Sequence, residues 1–398
     1  MKLPKKLSYR ILSYSDVLAI LRELEGLGAE VLSVGKSVEG RDIHAISVGE
    51  GGLRLLAICR LHGNEPAPTN AALLFAYNLL TKRRFLDTYL GDVLDKVSVT
   101  LVPLANPDGA EEYYARFSRT PEPSWMHAFE EARVNAEGYD LNRDWLFLEQ
   151  PETEALHRLV NELQPAAILD MHEFYFKGGY PPRWPDGEGE FMIALTDAPY
   201  YWVSEPIQDL SLELSKAIAA GLKENWPHWP LRERWFLGDA KAEDKPAVSP
   251  IYLGSHFPYE GCAKVLVETW GVGLGEYLLS DRVSIHGLAI AKAMVWLSEN
   301  TDRVEDARRE YLMEEESFES ATYEITGQDL ERAEMILQLH GIEYTRSGGK
   351  LEVNIPQRRS KMALILLDPD SPLNKKLSER GKWFTLDTAV RVRVEKSS

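Results

Sequence analysis

The alternation of apolar and polar positions predicts strands and helices in turn along the first three quarters of the chain. Apolar runs predict strands over residues 42–48, 53–60, 97–103, 166–171 and 264–268. Helical periodicity predicts helices over residues 67–81, 152–163, 205–224 and 282–299. Strands that alternate with helices are typical of an α/β fold. We therefore expect a twisted, mixed and mainly parallel sheet with helices on both faces.

Two long stretches without clear periodicity interrupt this pattern. Residues 104–145 and 173–204 are rich in proline, glycine, asparagine, aspartate and aromatic residues. Irregular stretches of that length in a compact domain usually serve a function. We expect both of them to form walls of a site.

The character of the chain changes after residue 302. An acidic stretch at 314–316 precedes a predicted strand over 321–325, a predicted helix over 328–340 and apolar runs near 351–355 and 362–367. The pattern indicates a domain at residues 1–302 and a small α+β C-terminal module at residues 303–398. The sequence assigns no role to this module.

Charge and cysteine content narrow the possible partners and compartments. The 398 residues include 45 Lys and Arg against 62 Asp and Glu, a net charge of −17, which disfavours nucleic acid and anionic membranes as partners. Two cysteines cannot form a disulfide framework, and this suits a reducing compartment, although the sequence leaves open whether the two pair with each other. Lys5 and Lys6 are not followed by the apolar run of a signal peptide, and no apolar stretch is long enough to span a bilayer. We expect a cytoplasmic protein.

Metal-ligating residue types follow two of the predicted strands. His62 and Glu65 lie between the strand at 53–60 and the next helix, and His172 closes the strand at 166–171. Either feature alone is weak, because an isolated histidine at a strand end is more often structural. Two histidines and a glutamate are, however, the ligands of catalytic zinc sites that leave one position open for water. Together the two features indicate a metal site at the C-terminal edge of the sheet.

Two further features suit the chemistry of such a site. Asn142 and Arg143 can grip a carboxylate, unless they form only an Asx-turn and a surface arginine. Glu268 ends an apolar strand, where a carboxylate is costly unless it is paired or functional. Near zinc it can take a proton from bound water; otherwise it forms a salt bridge. The remaining histidines considered are expected to be structural or solvated, with His256 alone a candidate for lining the pocket: His44, His157, His228, His256, His286 and His340.

A series of short sequence blocks, taken in their order along the chain, resembles the zinc metallocarboxypeptidases of the carboxypeptidase A type over about residues 8–300. The blocks are the segment Gly35–Ile43, His62-x-x-Glu65, Asn106-Pro107-Asp108-Gly109, Asp140-Leu141-Asn142-Arg143, His172 and Glu268.

The resemblance implies a role for each matching residue. His62, Glu65 and His172 would hold one zinc ion per chain, and Glu268 would be the general base. Asn142 and Arg143 would bind the terminal carboxylate of the substrate. Arg133 would polarise the scissile carbonyl, with Arg116 and Arg119 as rivals, and Tyr252 would close over the substrate, with Tyr259 as the alternative.

The implied activity is hydrolysis of the C-terminal peptide bond of a peptide. A zinc deacylase or amidase that acts on N-acyl amino acids or cell-wall-type isopeptides, again with a free carboxylate, is the alternative enzyme. A catalytically inactive, metal-stabilised binding protein is the alternative of another class. Asp144, Trp145 and Glu173 depart from the family pattern and leave the substrate preference open.

Overall fold

The computed structural model describes residues 3–120, 129–175, 191–197, 200–233, 248–379, 381 and 384–397. The strands within these ranges are β1 Glu30–Lys36, β2 Asp42–Cys59, β3 Arg84–Phe85, β4 Thr88–Tyr89, β5 Val97–Val102, β6 Ala167–Tyr175, β7 Ile193–Thr196, β8 Leu231–Arg232, β9 Ala263–Val272, β10 Ala321–Gly327, β11 Thr345–Ser347, β12 Lys350–Ile355 and β13 Val392–Ser397.

The helices in the same ranges are α1 Leu3–Tyr9, α2 Tyr14–Gly26, α3 Ala67–Lys82, α4 Pro107–Phe117, α5 Pro151–Leu163, α6 Glu205–Asn225, α7 Leu253–His256, α8 Leu279–Glu299, α9 Thr301–Glu316, α10 Leu330–Leu339, α11 Ser360–Leu367, α12 Pro372–Ser378 and α13 Leu386–Ala389. Short 3₁₀ helices lie at Glu130–Ala132, Leu141–Arg143 and Phe257–Glu260.

The main sheet is mixed and mostly parallel, so the predicted fold class is confirmed. Its strand order is β1-β2-β6-β9-β7-β8, and β5 also pairs with β2. The pairs β2/β5, β2/β6 and β6/β9 are parallel, whereas β1/β2 and β7/β9 are antiparallel. The carboxyl ends of β2, β6 and β9 therefore lie side by side at one edge of the sheet.

Alternating side chains of β2 bury the two faces of the main sheet. Leu55 and Ala57 point into a core shared with apolar residues of α3, α6 and α8. Leu56 and Ile58 point into a second core shared with Leu156 of α5. Because successive strand residues face opposite sides, this pattern gives the sheet helices on both faces, as the sequence predicts.

Several local expectations differ from the structure; for example, the predicted irregular stretch at 173–204 contains strand β7. Residues 42–48 and 53–60 form one long strand, because the glycines between them allow a bulge: a Cβ on Gly51 would lie 2.1 Å from the backbone of Lys96. The predicted irregular stretch at 104–145 contains helix α4. Asn106 caps this helix by accepting a hydrogen bond from the Gly109 N–H at 2.9 Å, and Pro107 occupies its first turn. Parts of both long stretches, residues 121–128, 176–190 and 198–199, lie outside the described residues.

The C-terminal residues form a separate antiparallel sheet in the order β11-β12-β10-β13. The apolar run near 351–355 is strand β12, and the run near 362–367 is helix α11. The proposed boundary at 302/303 falls within α9 and stays a prediction. Arg332 on α10 donates hydrogen bonds to the carbonyl oxygens of Phe147 and Leu148, at 2.6 and 2.8 Å, and thereby joins this module to the rest of the chain.

None of the helices in the described ranges has the length and apolar character needed to cross a membrane.

Candidate active site

The three predicted metal ligands meet at the edge formed by β2 and β6. His62 and Glu65 lie in the connection from β2 to α3, and His172 lies on β6. His62 Nδ1 is 2.7 Å from Glu65 Oε1, and His172 Nδ1 is 2.9 Å from Glu65 Oε2. The two Nδ1 atoms are 3.1 Å apart, and all three side chains are buried. These donor atoms therefore surround a single point.

The carboxylate contacts on the outer side of each imidazole fit a metal at that point. His62 Nε2 lies 3.1 Å from Asp140 Oδ1, and His172 Nε2 lies 2.7 Å from Asp170 Oδ1. A carboxylate holds a hydrogen on the nitrogen that it contacts, which leaves the Nδ1 lone pair free for a metal. Two such lone pairs and the Glu65 carboxylate repel one another unless a cation lies between them. The donor set is that of catalytic zinc.

The charges of the cluster also bear on metal binding. Burial raises the pKa of Glu65, but His62 and His172 outweigh it and hold the pKa below its usual value. Burial lowers the pKa of His172, but Asp170 and Glu65 outweigh it and raise the pKa well above its usual value. Because a ligating imidazole must be unprotonated, protons compete with metal for this site.

Glu268 lies next to the ligands on the adjacent strand. It is paired in register with His172 across β6 and β9, and its side chain borders a cavity of about 240 Å³ that the three ligands also line. Burial raises the pKa of Glu268 to about 8. A cation at the neighbouring ligands lowers the pKa of such a carboxyl and favours the form that accepts a proton.

Arg133 also borders this cavity. Its Nη1 atom lies 3.6 Å from Glu65 Oε1, and its Nη2 atom donates to Asp140 Oδ2 at 3.1 Å. The rival Arg116 donates instead to Glu112 at 2.6 Å, and neither Arg116 nor Arg119 is among the described residues that line the cavity. The structure therefore places only Arg133, of the three candidates, beside the metal ligands.

Asn142, Arg143 and Tyr252 line the same cavity. The Oδ1 atom of Asn142 accepts a hydrogen bond from the Leu253 N–H at 2.9 Å, which fixes its amide. The Arg143 guanidinium lies 4.3 Å from the centre of the Tyr252 ring and is partly exposed. The alternative Tyr259 is fully buried and donates to the Tyr201 carbonyl at 2.9 Å, so it does not reach the cavity.

Glycine in the His62-Gly63-Asn64-Glu65 block lets the backbone that carries Arg133 approach the ligands. A Cβ on Gly63 would lie 2.2 Å from the backbone of Gly109 and 2.4 Å from the carbonyl oxygen of Ala132. The Gly63 N–H donates to the Arg133 carbonyl at 3.2 Å. Only a residue without a side chain allows this contact.

Two of the sequence blocks, Gly35–Ile43 and Asn106–Gly109, do not line the cavity but support the chain segments that do. Asn106 donates from Nδ2 to the Leu61 carbonyl at 3.2 Å. Asp108 accepts from Ser37 Oγ at 2.7 Å and from the Glu39 N–H at 3.0 Å. The Gly35–Ile43 segment and the Asn106–Gly109 block are therefore parts of one buried contact, which accounts for their joint presence.

Sequence reasoning missed the two carboxylates behind the histidines. Asp170 precedes His172 by two residues on one strand, and side chains at that spacing share a face of the sheet. That spacing was a usable signal. Asp140 begins the block that contains Asn142 and Arg143, but nothing in its spacing points to His62.

The departures from the family pattern have structural roles in this chain. Glu173 lies 2.6 Å from Arg282 Nη1 and accepts from the Ala67 N–H at 2.9 Å, so its charge is paired within the protein. Asp144 accepts hydrogen bonds from the N–H groups of Glu149 and Gln150, both at 2.8 Å. Trp145 is fully buried. His256 is also buried but does not line this cavity.

Comparison with known proteins agrees with this geometry. A family model described as zinc carboxypeptidase matches residues 17–166. Carboxypeptidase E of Caenorhabditis elegans is 26% identical over 221 residues, which cover 46% of this chain and 46% of that protein. This chain therefore matches less than half the length of that curated relative.

Solved structures share the fold at low sequence identity. A metallo-carboxypeptidase from Burkholderia cenocepacia has a TM-score of 0.52 at 18% identity and covers 73% of this chain and 70% of its own. A metallo-carboxypeptidase from Pseudomonas aeruginosa was solved with (2-guanidinoethylmercapto)succinic acid. It has a TM-score of 0.51 at 20% identity, and the match covers 74% of this chain and 70% of that protein. Carboxypeptidase A from Helicoverpa armigera has a TM-score of 0.51 at 17% identity, and the match covers 73% of this chain and 75% of that protein.

The segment matched by the family model holds His62, Glu65, Asn142 and Arg143, whereas His172 and Glu268 lie beyond it. Residues 17–166 are therefore similar to the zinc carboxypeptidase family, and the chain combines that similarity with a cluster of two histidines and a glutamate.

Proposed function

We propose that the protein is a zinc-dependent carboxypeptidase that removes the C-terminal residue of a peptide. The observation that carries this proposal is that one cavity is lined by the His62, Glu65 and His172 cluster, by Glu268 and by Arg143. A metal site, a proton acceptor and a carboxylate-binding cation are the three groups that hydrolysis of a terminal peptide bond requires.

The proposed mechanism assigns one task to each of these groups. Zinc, when bound, polarises a carbonyl and lowers the pKa of water to about 7. Glu268 accepts the proton of the attacking water and passes it to the departing amine. Arg133, beside Glu65, donates to the carbonyl oxygen as negative charge develops there.

Substrate position would decide which bond is cleaved. The Arg143 guanidinium is exposed to the cavity, and no carboxylate of the described residues lies within 3.5 Å of it, since Asp140 Oδ2 is 3.7 Å away. A planar guanidinium binds a carboxylate through two parallel hydrogen bonds. A substrate held there by its terminal carboxylate presents only its last peptide bond to Glu268 and the ligands. This supports cleavage at the C-terminus and not within the chain.

A pair of matched peptides tests this proposal. We expect a peptide with a free C-terminus to lose its last residue, and its C-terminally amidated twin to resist, as followed by mass spectrometry. Arg143→Ala should abolish this preference, whereas Arg158→Ala, an exposed arginine paired with Glu154 on α5, should leave it unchanged.

Three outcomes would contradict the proposal. Internal cleavage, or equal cleavage of the amidated peptide, would exclude an exopeptidase. Release of amino acid from N-acyl amino acids alone would identify the deacylase alternative. Peptide binding without turnover would identify a binding protein.

We also propose a cytoplasmic location. Both cysteines, Cys59 and Cys262, are buried and unpaired, which supports a reducing compartment. Fractionation of cells that produce the protein tests this; recovery of the protein outside the cytosolic fraction would contradict it.

A further inference from the structure

A second cluster of potential metal ligands lies where the C-terminal module meets the rest of the chain. His157 lies on α5, His256 ends α7, and Glu260 ends the 3₁₀ helix at Phe257–Glu260. His340 directly follows α10 and is the one member from the module. The three histidines are fully buried, and the Glu260 side chain is 2% exposed. Three regions that are remote in sequence, at residues 157, 256–260 and 340, thus place polar groups at one buried point.

The facing atoms are close enough to share one ion. Glu260 Oε1 lies 3.1 Å from His256 Nε2, 3.3 Å from His340 Nδ1 and 3.6 Å from His157 Nε2. His157 Nε2 and His256 Nε2 are 3.3 Å apart. Each residue offers one ligand atom, and the four atoms all lie within 4.8 Å of one another.

Hydrogen bonds on the outer side of two rings determine what faces the centre. His256 Nδ1 is 3.0 Å from the Pro250 carbonyl oxygen, and His340 Nε2 is 2.8 Å from the Leu146 carbonyl oxygen. A carbonyl oxygen only accepts, so these two nitrogens carry hydrogens. In the neutral ring the other nitrogen then has a lone pair, which in both residues points toward Glu260. Backbone carbonyls commonly orient metal-binding histidines in this way.

The centre therefore contains more acceptors than hydrogens. The lone pairs of His256 and His340 and the Glu260 oxygen are mutual neighbours. A hydrogen on His157 Nε2 can satisfy one of them and leaves the others unsatisfied. Buried acceptors without a partner are costly, and a cation at the centre would satisfy all of them at once.

The ligand types and their number favour one kind of ion. Imidazole nitrogen and carboxylate oxygen are ligands for zinc, and four protein ligands without an open position are typical of a structural zinc site. The His62, Glu65 and His172 cluster has three ligands and borders a cavity, as a catalytic site requires. The second cluster is closed.

We propose that His157, His256, Glu260 and His340 bind a second, structural zinc ion that fastens the C-terminal module to the remainder of the chain. Arg359, also from the module, lies beside the site: its Nη2 is 3.5 Å from Glu260 Oε2, and its Nη1 donates to the Glu260 carbonyl at 2.6 Å. These contacts hold Glu260 in place. The proposal goes beyond the peptidase function and does not depend on it.

Zinc stoichiometry of the full-length protein tests this proposal. The metal-stripped protein is dialysed against zinc, freed of unbound metal and analysed for zinc per chain. We expect two ions in the wild type, one in His62→Ala/His172→Ala, one in His256→Ala/His340→Ala, and none in the variant that combines all four substitutions. His44→Gln, a half-buried histidine outside both clusters, should retain two.

A second measurement covers the case in which the double alanine variant fails to fold. Zinc should raise the Tm of His62→Ala/His172→Ala, because only the second site remains to bind it. Adding the near-isosteric Glu260→Gln should weaken that zinc binding at least about tenfold. The proposal would be overturned if the wild type held one zinc ion, if His62→Ala/His172→Ala lost that ion, and if zinc did not change the Tm of that variant. The second cluster would then be a hydrogen-bonded histidine network without metal. The absence of peptidase activity would not bear on the second zinc site, because the zinc count and the Tm are measured without substrate.

Discussion

Single residues behind the metal ligands determine how the ligands face the site. Asp140 and Asp170 each contact the outer nitrogen of one histidine, and Asp140 also accepts hydrogen bonds from Arg133. One carboxylate thus orients both His62 and the arginine proposed to polarise the carbonyl. Such supporting carboxylates raise the basicity of the imidazole and fix its tautomer.

The role of Glu268 leads to the first residue-scale prediction. Glu268→Gln keeps the shape of the side chain but removes the proton acceptor. We expect kcat to fall by about 10²–10⁴-fold, with zinc content unchanged, because Glu268 is not among the ligand atoms of the cluster. The exposed Glu299→Gln is the control. Equal values of kcat for Glu268→Gln and the wild type would show that Glu268 is not the general base.

At this scale the sequence predicted the groups that bear chemistry, and it predicted less about what supports them. His62 and Glu65 follow one predicted strand, His172 was expected to close another and lies within β6, and the structure brings all three together. A supporting carboxylate such as Asp140 is 78 positions from the histidine that it contacts, and no local periodicity links the two. Contacts of that kind follow only from the three-dimensional path of the chain.

At the scale of elements, the edge of the sheet depends on a close backbone contact between two loops. The loop after β2 packs on the start of α4 and on the backbone that precedes Arg133, with Gly63 at the contact. The helix α4 was predicted as irregular chain because its first residues, Asn106, Pro107, Asp108 and Gly109, are typical of turns. The same residue types also begin helices. Here the Asn106 side chain caps the first turn, and the chain continues as a helix.

Gly63→Ala tests this contact. The added methyl group would lie within 2.6 Å of three backbone atoms, so one of the two loops must move. We expect lower activity and a loss of stability of about 1–3 kcal/mol, measured by denaturant unfolding. Gly26→Ala is the matched control, since nothing lies within 4 Å of its added Cβ. Equal effects of the two substitutions would contradict the packing described.

At the scale of the whole molecule, the C-terminal module is joined to the rest by buried and partly buried polar contacts. They include Arg332 with Phe147 and Leu148, His340 with Leu146, and Arg359 with Glu260. The sequence predicted an α+β module but indicated none of these contacts. Only His256 and Glu260 of the second cluster are close in sequence, four residues apart; His157 and His340 are remote from them, and each histidine alone has the sequence signature of a structural residue.

Substitution of two arginines of the module compares a partly buried contact at the junction with an exposed contact inside the module. Arg332→Ala removes two hydrogen bonds to backbone carbonyls across the junction, and we expect a loss of about 1–3 kcal/mol in the free energy of unfolding. Arg391→Ala removes an exposed ion pair with Asp329, which solvent screens, and should cost clearly less than Arg332→Ala. Similar values for the two variants would contradict an ordered junction.

The central claim is that His62, Glu65 and His172 hold the zinc ion of a peptidase. The most direct measurement is an anomalous difference map from zinc-loaded crystals, collected on both sides of the zinc absorption edge. The account predicts a peak about 2.0–2.2 Å from the Nδ1 atoms of His62 and His172 and from the Glu65 carboxylate. A zinc-loaded crystal without a peak among these three side chains would contradict it.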